Sequence, residues 1–285
     1  MNKNFYITTR TPLRVSFFGG GTDFEEYYKK KTGSVLSVTI NKFVYVTIKK
    51  HNKLFNENYR INYSSVEHKH DLKSINNLIV KECLKKVPLQ PPLSITISSD
   101  IPSNSGLGSS SAITVGLLKA LYTAKGKKVT NHQLAEEACE IEINLIKNNI
   151  GKQDQYAVTF GGLNYIKFTK KKIVVSKINK KNIINKILKN SILIWTGQYR
   201  KATDILKKHK TKILQNKQAQ LDLLHNYAVK GQKLFTKKNF NYDNFYDLIR
   251  KNWEAKNNFN NLVSNPIIER ISKILDKERI FSYKL

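Results

Sequence analysis

Three clusters of residues along this chain have the types and the spacing to handle phosphate. The first is Pro102-Ser103-Asn104-Ser105-Gly106-Leu107-Gly108-Ser109-Ser110-Ser111-Ala112, small residues set between a strand pattern (Leu93 to Ser98) and an apolar run from Ile113 that reads as a helix. Such a loop lets backbone approach a ligand closely, and the helix start offers unpaired N–H groups and the positive end of a dipole to an anion. We read it as a phosphate-binding loop. The G-x-x-x-x-G-K-[ST] loop is excluded because no lysine follows the second glycine, and G-x-G-x-x-G fails because Ser111 stands at its third glycine. A flexible Gly/Ser linker shares the composition, but linkers are not usually set tightly between a strand and a helix.

The second cluster is Pro12-Leu13-Arg14-Val15-Ser16-Phe17-Phe18-Gly19-Gly20-Gly21-Thr22-Asp23. An apolar strand running into glycines delivers the Asp23 carboxylate at a strand end, where hydroxylated ligands are often gripped, and Arg14 on that strand could face phosphate. An ordinary turn with an Asx-type aspartate has the same residues. The third cluster is Glu140-Ile141-Glu142, then Gly151-Lys152-Gln153-Asp154-Gln155-Tyr156, closing with Gly161-Gly162. Phosphoryl transfer needs a carboxylate near the nucleophilic hydroxyl and oxygen ligands for Mg²⁺. Glu142 on a helix and Asp154 in the following loop could supply both; an exposed helix glutamate and a turn aspartate are the plainer alternative.

The elements that must position these clusters can be read from periodicity and punctuation. Val35 to Ile40 and Phe43 to Ile48 are β-branched and aromatic runs separated by Asn41-Lys42, which predicts a hairpin. A helix is expected over Leu72 to Val87, ended by Pro88, Pro91 and Pro92. The loop helix runs from about Ser110 to Ala124. Thr130 followed by Gln133 fits a capping box, and Leu134, Ala138, Ile141 and Leu145 then fall on one helical face that ends near Asn148. Beyond Lys170 the chain turns Lys/Asn/Ile-rich, with a strand expected at Ile192 to Trp195 and helices from about Arg200 to Lys233, Tyr242 to Leu262 and Pro266 to Leu275. Asn265 and Pro266 form a helix-start signal. The boundary between a strand-rich part and a helical part falls between Lys170 and Asn190.

At 285 residues the chain can bury a real core, and its formal charge of +29 comes from lysine spread over nearly its whole length. That spread reads as compositional bias rather than a designed basic face, so no nucleic-acid partner is expected; the charge would favour anionic small substrates. No segment supplies the ~18 consecutive apolar residues of a membrane span, and the N-terminus lacks the apolar core of a signal peptide. A cytoplasmic protein without a membrane partner is expected. The two cysteines, Cys83 and Cys139, make no metal-type spacing and no disulfide framework. The sequence leaves the oligomeric state open.

The three clusters in this order resemble the GHMP kinase superfamily. Pro102 to Ala112 matches its P-x-[SN]-x-G-L-G-S-S-[SA] loop, and Glu142 and Asp154 match its glutamate about a dozen residues before an aspartate. Arg10 to Asp23, Gly151 to Gln155 and Thr196 to Ala202 look like the branch of sugar-1-kinases acting on D-glycero-D-manno-heptose 7-phosphate; L-fucose kinases share parts of this pattern. The resemblance implies an α/β (α+β) two-domain fold. A ribosomal-protein-S5-like N-terminal domain over 1–180 would carry the ATP and sugar sites, and a ferredoxin-like C-terminal domain, incomplete here, would cover 181–285. It further implies phosphorylation of the sugar phosphate at C1 to a 1,7-bisphosphate, with ATP and Mg²⁺, toward nucleotide-activated heptose for surface polysaccharide.

Residue roles follow from the same resemblance. Pro102, Asn104, Ser105, Gly106, Leu107, Gly108, Ser109, Ser110 and Ser111 would wrap the ATP phosphates, and Ser110 and Glu142 would ligate Mg²⁺. Asp154 would act as base or orienter beside the anomeric hydroxyl, and Arg14 would stabilise charge near the γ-phosphate. Asp23, with Gly20, Gly21 and Thr22, would bind sugar hydroxyls. The family's third motif, a C-terminal Lys-x-[ST]-Gly-Ala-Gly-type loop, is not matched; Lys284-Leu285 takes the place directly before it, so the chain resembles a member truncated there. Another sugar-1-kinase such as an L-fucokinase, or a catalytically impaired nucleotide-binding remnant, are the alternatives.

Overall fold

Contacts in the computed structural model divide the chain into two units, residues 1–14 with 39–161 and residues 15–38 with 162–285. The structure describes residues 4–52, 54–103, 105–197, 218–259, 266–278, 280 and 282–283. Asn104, Gln198 to Ala202, Asn265 and Lys284-Leu285 lie outside that set, and so do the parts of the expected helices that fall on 200–217 and 260–265. Two long strands, β1 (Tyr6–Gly19) and β2 (Gly33–Lys50), each contribute residues to both units.

In the first unit the second half of β2 pairs antiparallel with β5 (Leu93–Ser99), from Val44↔Ser99 to Lys50↔Leu93. β3 (Tyr59–Asn62) lies parallel to β5 and antiparallel to β4 (Val66–Lys69). Helices α2 (Leu78–Lys86), α3 (Ser109–Ala124), α4 (Asn131–Cys139) and α5 (Gln153–Phe160) complete this unit. Its core joins Leu13, Val46, Ile48, Ile61 and Ile95 from the strands to Leu117, Leu121, Leu134, Ile141 and Val158 from the helical side. Helix α2 begins later than the sequence predicts because Asn77 caps it, its side chain accepting from the Val80 N–H at 3.1 Å. Thr130 caps α4 in the same way on the Gln133 N–H, also at 3.1 Å. The Gln133 side chain does not close the box but donates to Tyr122 and Glu137 instead.

In the second unit the first half of β2 pairs antiparallel with β6 (Leu163–Phe168), which turns into β7 (Ile173–Lys177). Helices α1 (Glu25–Tyr28), α6 (Lys181–Lys189), α7 (Gln218–Thr236), α8 (Tyr242–Phe259) and α9 (Pro266–Lys277) belong here. Phe17 and Phe18 meet Phe245 edge-on, with ring centroids 5.2 and 5.4 Å apart, at the centre of this core.

Three local expectations are corrected. The hairpin at Asn41-Lys42 is absent: β2 runs unbroken, its two halves pairing with different strands, and no glycine is present to take the left-handed geometry a tight hairpin turn needs. Ile192 to Trp195 form no strand; Ile192 is 83% exposed, and β-branched propensity alone does not make a strand without a ladder. The helix expected to run to Asn148 changes winding at Glu140, where a π-helical segment covers Glu140–Leu145. A π turn holds more residues than an α turn, so a face read at α spacing drifts. Leu134, Ala138 and Ile141 stay buried, but Leu145 emerges at 47% exposure while Glu142 turns in to 0%.

Candidate active site

The first unit gathers the glycine loop, Arg14, Glu142 and Asp154. Gly108 caps α3 at φ 79° and ψ 26°, a left-handed conformation in which a side chain is strained, and no side chain caps the helix. A Cβ at Gly108 would lie 3.3 Å from Arg14 Cγ and 3.6 Å from Asp154 Oδ2, so the loop lies directly on those two side chains. Ser109 and Ser111 are buried, Ser105, Leu107 and Ser110 half-buried, and Pro102 and Gly106 exposed. The Ser105 hydroxyl is buried without a hydrogen-bond partner among the described residues. An orphaned hydroxyl beside an uncapped helix start fits a site built for an anion.

Arg14 ties the loop to Asp154. Its Nε and Nη2 both donate to Asp154 Oδ1, at 2.8 and 2.6 Å. Its Nη1 donates to the Gly106 carbonyl at 2.6 Å, and its backbone N–H to the Leu107 carbonyl at 3.0 Å. Both side chains are largely buried, which strengthens the pair over a surface one. Asp154 therefore stands in the first turn of α5, not in a loop.

Glu142 is wholly buried, and three donors meet its carboxylate. Ser110 Oγ donates to Oε1, while Ser111 Oγ at 2.7 Å and Gln155 Nε2 at 2.6 Å donate to Oε2. Burial pushes its pKa up and the nearby Asp154 charge adds to that; the three hydrogen bonds pull the other way without cancelling it. Among the described residues no group of three or more His, Cys, Asp or Glu could hold a metal. One carboxylate and one hydroxyl, both oxygen donors, still fit Mg²⁺, which takes few protein ligands and completes its shell with water and phosphate.

Gly20, Gly21, Thr22 and Asp23 belong to the second unit. Thr22 is fully buried, its Oγ1 donating to the Ser34 carbonyl at 3.0 Å and accepting the Ser34 N–H at 3.1 Å. A Cβ at Gly33 would lie 1.8 Å from the Thr22 carbonyl, so only glycine allows this approach. Asp23 is buried as well, at 0% exposure, with Gly20 buried and Gly21 half-buried beside it. Around the carboxylate the structure places Ser111, which sequence reasoning gave to the ATP phosphates, and Gln155, which it gave no role of its own. The signal for Gln155 was adjacency: it directly follows Asp154.

The profile of the GHMP kinases N-terminal domain matches residues 75–162, the stretch holding the glycine loop, Glu142 and Asp154. A D-glycero-α-D-manno-heptose 7-phosphate kinase of Campylobacter jejuni is 34% identical over 297 residues, 98% of this chain and 85% of that protein. The chain belongs to the GHMP kinase family. A galactokinase of Thermotoga neapolitana is 25% identical over 54% of the chain and 44% of its own length. Among solved structures, a D-glycero-D-manno-heptose 1-phosphate kinase from Bacteroides thetaiotaomicron superposes with a TM-score of 0.73 at 25% identity, covering 88% of this chain and 79% of that one. The Methanococcus jannaschii mevalonate kinase, at 21% identity and a TM-score of 0.63 over 96% of this chain and 84% of its own, shows the shared fold. This GHMP kinase is thus a mixed α/β phosphotransferase of a family that uses ATP as phosphate donor. Among the described residues no helix is long and apolar enough to cross a membrane.

Proposed function

We propose that this GHMP kinase transfers the γ-phosphoryl group of ATP to the C1 hydroxyl of D-glycero-D-manno-heptose 7-phosphate. The observation that carries the reaction class is the Asp154 carboxylate against the glycine loop, with Oδ1 held by Arg14 and Oδ2 on the Gly108 side. The heptose comes from the relative that matches 98% of the chain. The domain reading that accompanies this assigns 1–180 to the ATP and sugar sites and 181–285 to the second domain.

In this reading the loop from Pro102 to Ser111 holds the phosphates through backbone N–H groups and the start of α3. The C1 oxygen attacks the γ-phosphorus as the bond to the β–γ bridging oxygen breaks, ADP leaves, and the hydroxyl proton passes to Asp154 Oδ2 or to water. Arg14 fixes Asp154 and offsets charge beside it. Ser110 and Glu142 would hold Mg²⁺, which neutralises phosphate charge when bound. Gly20, Gly21, Thr22 and Asp23 would form the sugar-binding loop. The test is ADP release with heptose 7-phosphate, L-fucose and galactose offered separately. Turnover with heptose 7-phosphate at least tenfold above the others supports the reading, and preference for L-fucose replaces it.

A further inference from the structure

The two oxygens of Glu142 have different surroundings. Oε2 is fixed from the interior by Ser111 Oγ at 2.7 Å and Gln155 Nε2 at 2.6 Å, from residues 1% and 0% exposed. Oε1 is met by Ser110 Oγ, from a half-buried residue at the start of α3. The carboxylate thus has one oxygen fixed by two interior donors and one shared with the hydroxyl that would accompany it on a metal.

Gln155 comes from a different element than either serine. It lies in the first turn of α5, one residue after Asp154, so a single helical turn holds both Glu142 and the residue gripped by Arg14. The Gln155 Oε1 atom is buried with no hydrogen-bond partner among the described residues. A buried amide oxygen left this way costs free energy that only a polar neighbour would relieve. A flip would set the amide oxygen against the Glu142 carboxylate, so the amide orientation is dictated by Glu142 rather than by the amide's own satisfaction. Packing alone would have been served by an apolar residue of the same length.

We infer that Gln155 is a positioning residue, holding Glu142 Oε2 so that Oε1 and Ser110 Oγ stay aimed at Mg²⁺ in register with Asp154. The inference rests on the assignment of Glu142 as a Mg²⁺ ligand made above.

The experiment measures Mn²⁺ affinity for the ADP-bound full chain by electron paramagnetic resonance, with ADP affinity in chelator and the melting temperature alongside. Gln155→Met keeps length and apolar packing but removes the donor. It is expected to weaken Mn²⁺ binding on the order of tenfold or more, as partners of metal ligands commonly do, with metal-free ADP affinity unchanged. Gln155→Asn withdraws the amide by one methylene and is expected to give the same loss, so the test survives if the first variant fails to fold. A lowered melting temperature with unchanged Mn²⁺ affinity in both variants overturns the inference. Glu142→Ala separates the two levels. If it leaves Mn²⁺ affinity unchanged, the ligand assignment falls and the inference with it; if it weakens Mn²⁺ binding while both Gln155 variants do not, the inference alone falls.

Discussion

Arg14 grips Asp154 through one oxygen only. Nε and Nη2 converge on Oδ1, at 2.8 and 2.6 Å, where a guanidinium fork often takes both oxygens of a carboxylate in parallel. Oδ2 is left toward Gly108 and takes neither of these bonds. The aspartate is therefore oriented by one atom and presents the other.

That division separates two substitutions at Asp154. Asp154→Asn keeps an acceptor for Arg14 if its carbonyl takes the Oδ1 position, so folding and nucleotide affinity should be nearly kept. Turnover should fall by a factor on the order of 10² or more. Asp154→Ala strands a largely buried guanidinium with only the Gly106 carbonyl and is expected to cost about 1–3 kcal/mol of stability as well. Steady-state kinetics and thermal melts on both variants check this; equal turnover losses with equal melting temperatures would remove the distinction.

Gly108 supplies a second expectation. Any L-residue there must adopt φ near 79° and place its Cβ 3.3 Å from Arg14 Cγ. The left-handed conformation alone costs roughly 1–2 kcal/mol for a residue other than glycine. Gly108→Ala should weaken ATP binding measurably, and Gly108→Val should abolish it while the protein still melts cooperatively. Unchanged ATP affinity by calorimetry in Gly108→Val would refute the assignment of this loop to phosphate.

Thr22 gives a third. Its hydroxyl serves both the N–H and the carbonyl of Ser34 inside a fully buried setting. Thr22→Val is close in shape and removes both bonds, leaving two backbone groups unsatisfied at about 1–3 kcal/mol each. The melting temperature should fall by several degrees. A melt within one degree of wild type would mean that the Ser34 groups find other partners.

How legible the site was depended on what each residue needed to be seen. Gly108, Ser110 and Asp154 announced themselves because their chemistry is tied to local spacing, a glycine loop before a helix and a carboxylate after one. Glu142 could be named but not placed. Its inward turn depends on the π-helical winding of Glu140–Leu145, and an α-periodic reading puts Leu145 on the buried face instead. Gln155 was invisible as a partner because its contact with Glu142 spans thirteen positions and two elements. In the fold, strands with a local signature such as Leu93 to Ser99 were read nearly to the residue. The continuity of β2 was not, because pairing with β5 on one half and β6 on the other is a long-range fact.

The last expectation concerns pH and comes from the buried carboxylate. Glu142 has its folded pKa raised above the unfolded value of 4.5, with burial the first cause and the Asp154 charge adding to it. An acid held more tightly protonated in the folded state contributes stability below its unfolded pKa, and that contribution is lost as pH rises through the folded value. Once Glu142 ionises without metal, the folded protein therefore carries a buried charge opposed by its surroundings. Glu142→Gln removes the charge and keeps the shape. Its amide can still accept from Ser110, and its N–H can turn toward the unpartnered Gln155 Oε1. In chelator, the melting temperature of Glu142→Gln minus that of wild type should be small near pH 4.5, grow as pH rises and level off once Glu142 is ionised. On the proposed Mg²⁺ role, the same variant should transfer phosphate poorly at every pH, because the group that opposes folding would also hold the metal. Carboxylates that do not interact with Glu142 cancel in the difference. A difference that stays flat from pH 4.5 to neutrality would show that Glu142 is not held against its own ionisation.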